Sequence, residues 1–348
     1  MVLDTSWLHE TLTQGHQGVI SIHYIALCTG IVNWLLNGII WYSFSQTPSL
    51  LIKSHLYLFY AFAVTNSFTG FFTVPTYINL IIHNNLNCPR WTILIGSTFE
   101  IALDRIRSLL SLSIAIERIH ALVRPGDYYF LDHRKVAMRV CLVALIWGII
   151  DAIWMVCEDG LQVIRIHCVT TASSGPIFHM YFLLSSIFFG ILLTVVYFFF
   201  IFRLFYVKEK QILLNKKISR DYFTQANSLT VCVILMVLLF SVVPCCLYLY
   251  DMIVGKVFFM KWGPIITVGY HLYGILSFFF YNWKHRDIRA ALHKCYPVRW
   301  WFESCNPAKY QQTPCLSNLT EKTLVRKTLE RRPPVPTVST SSGEEEFL

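Results

Sequence analysis

The chain has 348 residues, of which 55% are hydrophobic, 16% aromatic and only 14% charged, against about 25% charged in an average soluble domain. Its net charge is +9, but the Lys and Arg residues fall between apolar blocks instead of interleaving with aromatics, which points to a membrane surface and away from nucleic acid. Eleven cysteines make no CxxC pair and no zinc-type spacing, so neither a metal nor a cofactor is expected.

Residues 1–18 are polar and carry no Lys or Arg, so a cleaved signal peptide lacks its basic region. This segment is expected to be an extracellular N-terminus, with the first span directing insertion. A hydrocarbon core about 30 Å thick needs roughly 20 apolar residues per helix. Seven stretches meet that length: Val19–Tyr42, Leu56–Ile82, Trp91–Leu122, Val136–Met155, Ile177–Tyr206, Ser228–Tyr250 and Trp262–Trp283. They show no strict alternation, and only helices or closed barrels satisfy every backbone group in lipid. The expected fold is an all-α membrane protein, a seven-transmembrane helix bundle over residues 19–283. Cys28, Cys141, Cys232, Cys245 and Cys246 lie inside its apolar runs and are expected to be small buried hydrophobes.

Charge fixes the expected orientation. With the N-terminus outside, the outer segments hold only Arg90, Arg165, Lys256 and Lys261, the inner ones hold 23 of the 29 basic residues, and Arg105 and Arg107 lie inside span three. Cytoplasmic loops carry the excess of Lys and Arg, so the N-terminus is expected outside and the C-terminus inside.

Span three is the unusual one. Glu100, Asp104, Arg105 and Arg107 sit in apolar sequence, where charge is expensive enough to imply function. At about 100° per residue, Glu100 and Arg118 are five whole turns apart and point the same way; Asp104, Arg107 and Ser111 fall within about 40° of that line, and Arg105 points some 140° away. If Arg118 faces the interior, then Glu100, Asp104, Arg107 and Ser111 form an interior stripe, with Glu100 about 27 Å above Arg118. They are candidate ligand-pocket residues, and a structural ion network that never meets ligand is the competing reading. Arg105 needs another partner, for which Asp151 of span four is at a similar depth.

At the inner end, span three reads Ser111-Leu-Ser-Ile-Ala-Ile-Glu117-Arg118-Ile-His-Ala121. An acidic residue followed by Arg there resembles the switch of rhodopsin-like receptors, which implies that Glu117 holds Arg118 until activation frees it for a G protein. The longer run Ala115–Ala121, followed by Asp127-Tyr-Tyr, resembles nematode serpentine chemoreceptors of the Sra superfamily, with the class epsilon (Sre) branch the nearest. Gly30 and Asn33 in span one, Trp147 in span four and Pro244 in span six resemble the wider rhodopsin-like pattern, Pro244 as a hinge. Span six lacks a tryptophan before Ser241-Val-Val-Pro244, and span seven ends Ser277-Phe-Phe-Phe-Tyr-Asn282 without Asn-Pro-x-x-Tyr. These departures favour a divergent branch over amine or opsin receptors, and the absence of Lys from span seven excludes a retinal Schiff base.

The resemblance implies a plasma-membrane receptor, carried on a sensory neuron or its cilium, that binds an environmental chemical or pheromone-like small molecule and activates a heterotrimeric G protein. It also implies a disulfide from Cys88 to the outer loop after span four, with Cys168 the first choice and Cys157 the second. On the inner side, residues 284–296 read as an amphipathic juxtamembrane helix whose Ile288 and Leu292 face lipid, ending at Cys295, a candidate lipidation site. Residues 297–348 read as a disordered cytoplasmic tail. An enzyme is disfavoured: the histidines never recur at spacing three or four, and no phosphate loop or serine elbow is present. A transporter or ligand-gated channel using the charged stripe is the remaining rival.

Overall fold

The structure is a computed structural model that describes residues 18–47, 56–213, 230–255, 258–284, 288–289 and 291–292. Seven long helices run in chain order: α1 (Ser21–Gln46), α2 (Tyr57–Ile82), α3 (Arg90–Val123), α4 (His133–Cys157), α5 (Pro176–Leu213), α6 (Thr230–Val254) and α7 (Ile265–Lys284). Helix α3 packs on α2, α4 and α5, and α7 returns to pack on α1 and so closes the ring.

The helices are inside out relative to a soluble protein. Along α1 the buried positions Gly30, Asn33, Asn37, Ile40 and Phe44 recur at spacings of three and four, while Trp34, Leu35, Trp41 and Tyr42 are exposed. Helix α4 exposes Leu142, Val143, Ile146, Ile149, Ile150 and Ile153, each at 47–58%. Polar groups turned inward and aliphatic ones turned outward suit a hydrocarbon solvent, where backbone and side-chain polar atoms must be satisfied internally. Ser21–Gln46, His133–Cys157, Pro176–Val207 and Thr230–Val254 are long and apolar enough to cross a membrane by length and composition alone. The others are diluted: α2 buries Thr65, Asn66, Ser67, Thr69, Thr73 and Thr76, and α3 buries Arg90, Glu100, Asp104, Arg105 and Arg107.

Helix α2 ends in a run of asparagines, and Asn84, Asn85 and Asn87 have φ of 49°, 60° and 52°. Asn tolerates this left-handed region better than other residues with a side chain. The turn delivers Cys88–Pro89 to a two-residue antiparallel pairing with Ile164–Arg165 of the α4–α5 loop. Cys88 and Cys168 are joined by a disulfide with Cα atoms 5.8 Å apart, whereas Cys157 is free and exposed. Among the cysteines of the apolar runs Cys245 alone is buried, and Cys28, Cys141, Cys232 and Cys246 are not.

Helix α4 starts at Asp132, whose carboxylate accepts from the Lys135 amide at 3.1 Å, an N-cap in the ordinary sense. That bond, with the Lys135 side chain, holds the Asp132 carboxyl below the usual range. Helix α5 is capped from a distance, since Glu158 accepts from the amides of Ile177 (2.9 Å) and Phe178 (3.1 Å).

Helix α6 contains a π-helical turn at Leu238–Val242, directly before the buried Pro244. Pro244 has no N–H to return to the Phe240 carbonyl, and its ring crowds that carbonyl, so the backbone widens there. A Cβ on Gly269 would collide with the same Phe240 carbonyl, so only glycine lets α7 approach this turn so closely. Of the expected helix at 284–296, Ile288 and Leu292 are 3% and 2% exposed and belong to the main hydrophobic cluster. They pack into protein and not lipid, because the cluster formed by all seven helices takes them up. Cys295, residues 1–17 and residues 297–348 lie outside the described residues.

Candidate ligand pocket and coupling surface

Helix α3 carries both candidate sites on one uninterrupted element of 34 residues, about 51 Å long at 1.5 Å per residue. Four charged residues in its middle, Glu100, Asp104, Arg105 and Arg107, are all at most 5% exposed. Three of them share a direction, as the helical angle requires. Arg107 donates to Asp104 Oδ1 at 2.5 Å and to the Tyr270 carbonyl at 3.2 Å, with its guanidinium 4.4 Å from the Tyr270 ring centre. Ser111 lies 3.3 Å from the Tyr273 hydroxyl. The stripe therefore binds α3 to α7.

Glu100 and Asp104 line a cavity near the disulfide, together with Thr170, Thr171 and Ser174 of the loop, Phe178, His179 and Phe182 of α5, and Ile266, Thr267 and Tyr270 of α7. Glu100 Oε2 accepts from the Thr170 hydroxyl at 3.3 Å. The disulfide holds the loop that supplies Thr170, and so shapes the cavity. Arg107 and Ser111 do not reach this cavity; they line a second one, one turn further along α3, with Ser108, Ser241, Tyr270 and Tyr273. That second cavity abuts the π-turn of α6 through Val237 and Ser241.

Arg105 faces the other way, into α4 and α5. Its Nε lies 2.7 Å from Asp151 Oδ2, and its Nη2 donates to Ser185 at 2.6 Å. Asp151 also accepts from Tyr181 at 3.0 Å, and Tyr181 accepts from Trp147 at 3.0 Å. Each acceptor is satisfied, which is what allows a buried ion pair to persist. Trp147 is thus a hydrogen-bond donor to this network.

At the opposite end, Glu117 does not hold Arg118. Its carboxylate lies 2.7 Å from His133 Nδ1 and accepts from Tyr128 at 3.5 Å. His133 in turn bonds the Tyr128 carbonyl at 3.1 Å. Arg118 instead rests 5.6 Å from the Phe59 ring centre. The reason lies in the turn after α3, where the short helix Pro125–Phe130 brings Tyr128 and the start of α4 back onto Glu117.

Two side chains outside the sequence expectations belong to this description. Arg90, fully buried, donates to the carbonyls of Met155, Val156, Asp159 and Ser173 and so ties the start of α3 to the end of α4. His179, 6% exposed, lines the outer cavity with Nε2 unpartnered among the described residues. A cation in the first turn of a helix opposes the helix dipole, and that misfit was the available signal for Arg90. His179 had none beyond a lone histidine in apolar sequence. No cluster of metal-ligating side chains occurs among the described residues.

No curated protein matches the chain. Residues 17–276 match the family described as serpentine type 7TM GPCR chemoreceptor Srbc. The class is therefore Srbc, where the residues around span three had suggested the Sre branch, and the serpentine chemoreceptor resemblance stands. A seven-helix bundle with inward polar groups, an outward aliphatic surface and a match over three quarters of its length leads to one assignment: this chain is a multi-pass membrane protein of the Srbc family of seven-transmembrane G-protein-coupled chemoreceptors.

Proposed function

We propose that the chain binds a small ligand from outside the cell in the cavity of Glu100 and Asp104, and passes that event along α3 to a heterotrimeric G protein at Glu117 and Arg118. The supporting observation is the continuity of α3, whose disulfide end lines a pocket and whose other end carries the acid–Arg pair. Orientation follows from charge. The disulfide end is outside, and Arg118, Arg124, Arg134, Lys135, Arg139 and Arg203 mark the cytoplasmic side.

In this reading Glu117 is locked by His133 and Tyr128, and Arg118 is held on Phe59 until the inner end of α6 moves. The π-turn before Pro244 is the point at which α6 bends, since one backbone bond is already missing there. The second cavity lies beside that turn. The small ligand, the G protein and the surrounding lipid are the partners, at the plasma membrane.

The test is ligand-driven nucleotide exchange on a co-expressed G protein, using a panel of small environmental chemicals. Arg118→Ala is expected to lower exchange roughly 10–100-fold, the range of ordinary allosteric coupling, at normal surface expression. Glu100→Gln is expected to shift the ligand concentration required. Unchanged exchange in Arg118→Ala would sink the switch, and ligand-driven ion flux without exchange would favour the channel or transporter.

A further inference from the structure

The polar lining of the outer cavity is uneven in what it offers a ligand. Asp104 is neutralised by Arg107 at 2.5 Å. Arg107, whose charge also reaches Glu100, is thereby committed to Asp104 and to the Tyr270 carbonyl. Glu100 accepts hydrogen bonds from the Thr170 and Thr267 hydroxyls, and the Ser174 hydroxyl donates one to the Thr171 carbonyl at 3.1 Å; the Thr170 and Ser174 donors are thereby used. Both hydroxyls are left with lone pairs only. His179 Nε2, in a side chain 94% buried by its 6% exposure, has no partner among the described residues. The polar groups with acceptor capacity left therefore include the Glu100 carboxylate, which has lone pairs beyond those met by Thr170 and Thr267, two hydroxyl oxygens and an imidazole nitrogen.

A lining of acceptors with a buried carboxylate calls for a group that is all donor and positive. A primary ammonium has three N–H donors and no acceptor. It would supply the missing counter-charge, without which a buried carboxylate is costly. An anionic head would meet Glu100 with like charge. Phe178 and Phe182 line the same cavity, and aromatic faces attract cations.

We propose that this cavity recognises a small molecule bearing a protonated primary amine on an apolar body, the ammonium lying between Glu100 of α3 and His179 of α5. The inference rests on the cavity being the ligand site. His179, in its Nδ1-protonated tautomer, is the specificity residue that α5 contributes.

The full chain, reconstituted in lipid nanodiscs at neutral pH, is titrated with phenethylamine, phenethyl alcohol and phenylpropanoate, and affinity is read from thermal shift. Phenethylamine should bind about tenfold or more tightly than the other two, a difference that one charge contact readily supplies. Glu100→Gln and His179→Phe should each weaken it about tenfold, His179→Gln should retain most of the affinity through its amide oxygen, and Ser174→Trp should block binding by filling the cavity. If Glu100→Gln fails to fold, Glu100→Asp should keep the amine preference at lower affinity. Alcohol or carboxylate binding as tight as the amine, and blocked by Ser174→Trp, would overturn the amine class and leave the pocket standing. Amine binding indifferent to both Ser174→Trp and His179→Phe would overturn the pocket as well. Absence of binding by any of the three probes would overturn the amine class.

Discussion

Arg90→Met is expected to remove nearly all of the receptor from the surface of expressing cells. The Arg90 side chain is fully buried, and its guanidinium donates to four carbonyls, two of them, Met155 and Val156, in the last turn of α4. Helix ends leave such carbonyls without an internal donor, and Arg90 supplies it from another helix. Leaving a buried acceptor unsatisfied costs about 1–3 kcal/mol, so losing several together consumes much of an ordinary stability of about 5–15 kcal/mol. Lys is no substitute, because its point charge cannot span four acceptors as the planar fork does. Arg90→Lys should therefore also fail. Wild-type surface staining of Arg90→Met would show that the clamp is dispensable.

The second large effect concerns Arg105 and Asp151, each side chain 1% exposed and 2.7 Å apart. Removing one partner leaves a charge buried without compensation, at about 3–5 kcal/mol. Asp151→Ala and Arg105→Ala should each sharply reduce surface expression and thermal midpoint. The exchange Arg105→Asp with Asp151→Arg should restore much of both, since the pair spans α3 and α4 and tolerates either polarity better than an orphan charge. Failure of the double variant to exceed either single swap would mean that the flanking bonds to Ser185 and Tyr181, and not the ion pair, set the requirement.

These two cases mark how far the sequence could be read. Arg105 and Asp151 were legible because helical angle and depth are fixed by residue count, and Arg105 pointed away from the stripe and toward the neighbouring span. The helices themselves were legible from long apolar runs, with ends displaced by a few residues. Arg90 was counted only as an outer charge, since its four acceptors come from segments 65–83 residues away. The Glu117–His133 bond was hidden for a related reason: adjacency in sequence suggests Arg118 as partner, whereas the fold returns Tyr128 and His133 to that carboxylate. Ile288 and Leu292 show the limit of amphipathic pattern, which marks an apolar face without saying whether lipid or protein covers it.

The central claim is that the two ends of α3 are energetically coupled, and binding linkage tests it without reference to downstream signalling. If ligand at the Glu100 end promotes G-protein binding at the Arg118 end, G protein must raise ligand affinity by the same factor. An activating ligand found by nucleotide exchange is titrated against reconstituted receptor with and without nucleotide-free G protein. The expected result is an affinity increase of roughly 5–150-fold in the wild type, abolished in Arg118→Ala, whose affinity without G protein matches wild type. Equal ligand affinity with and without bound G protein in the wild type would contradict the account.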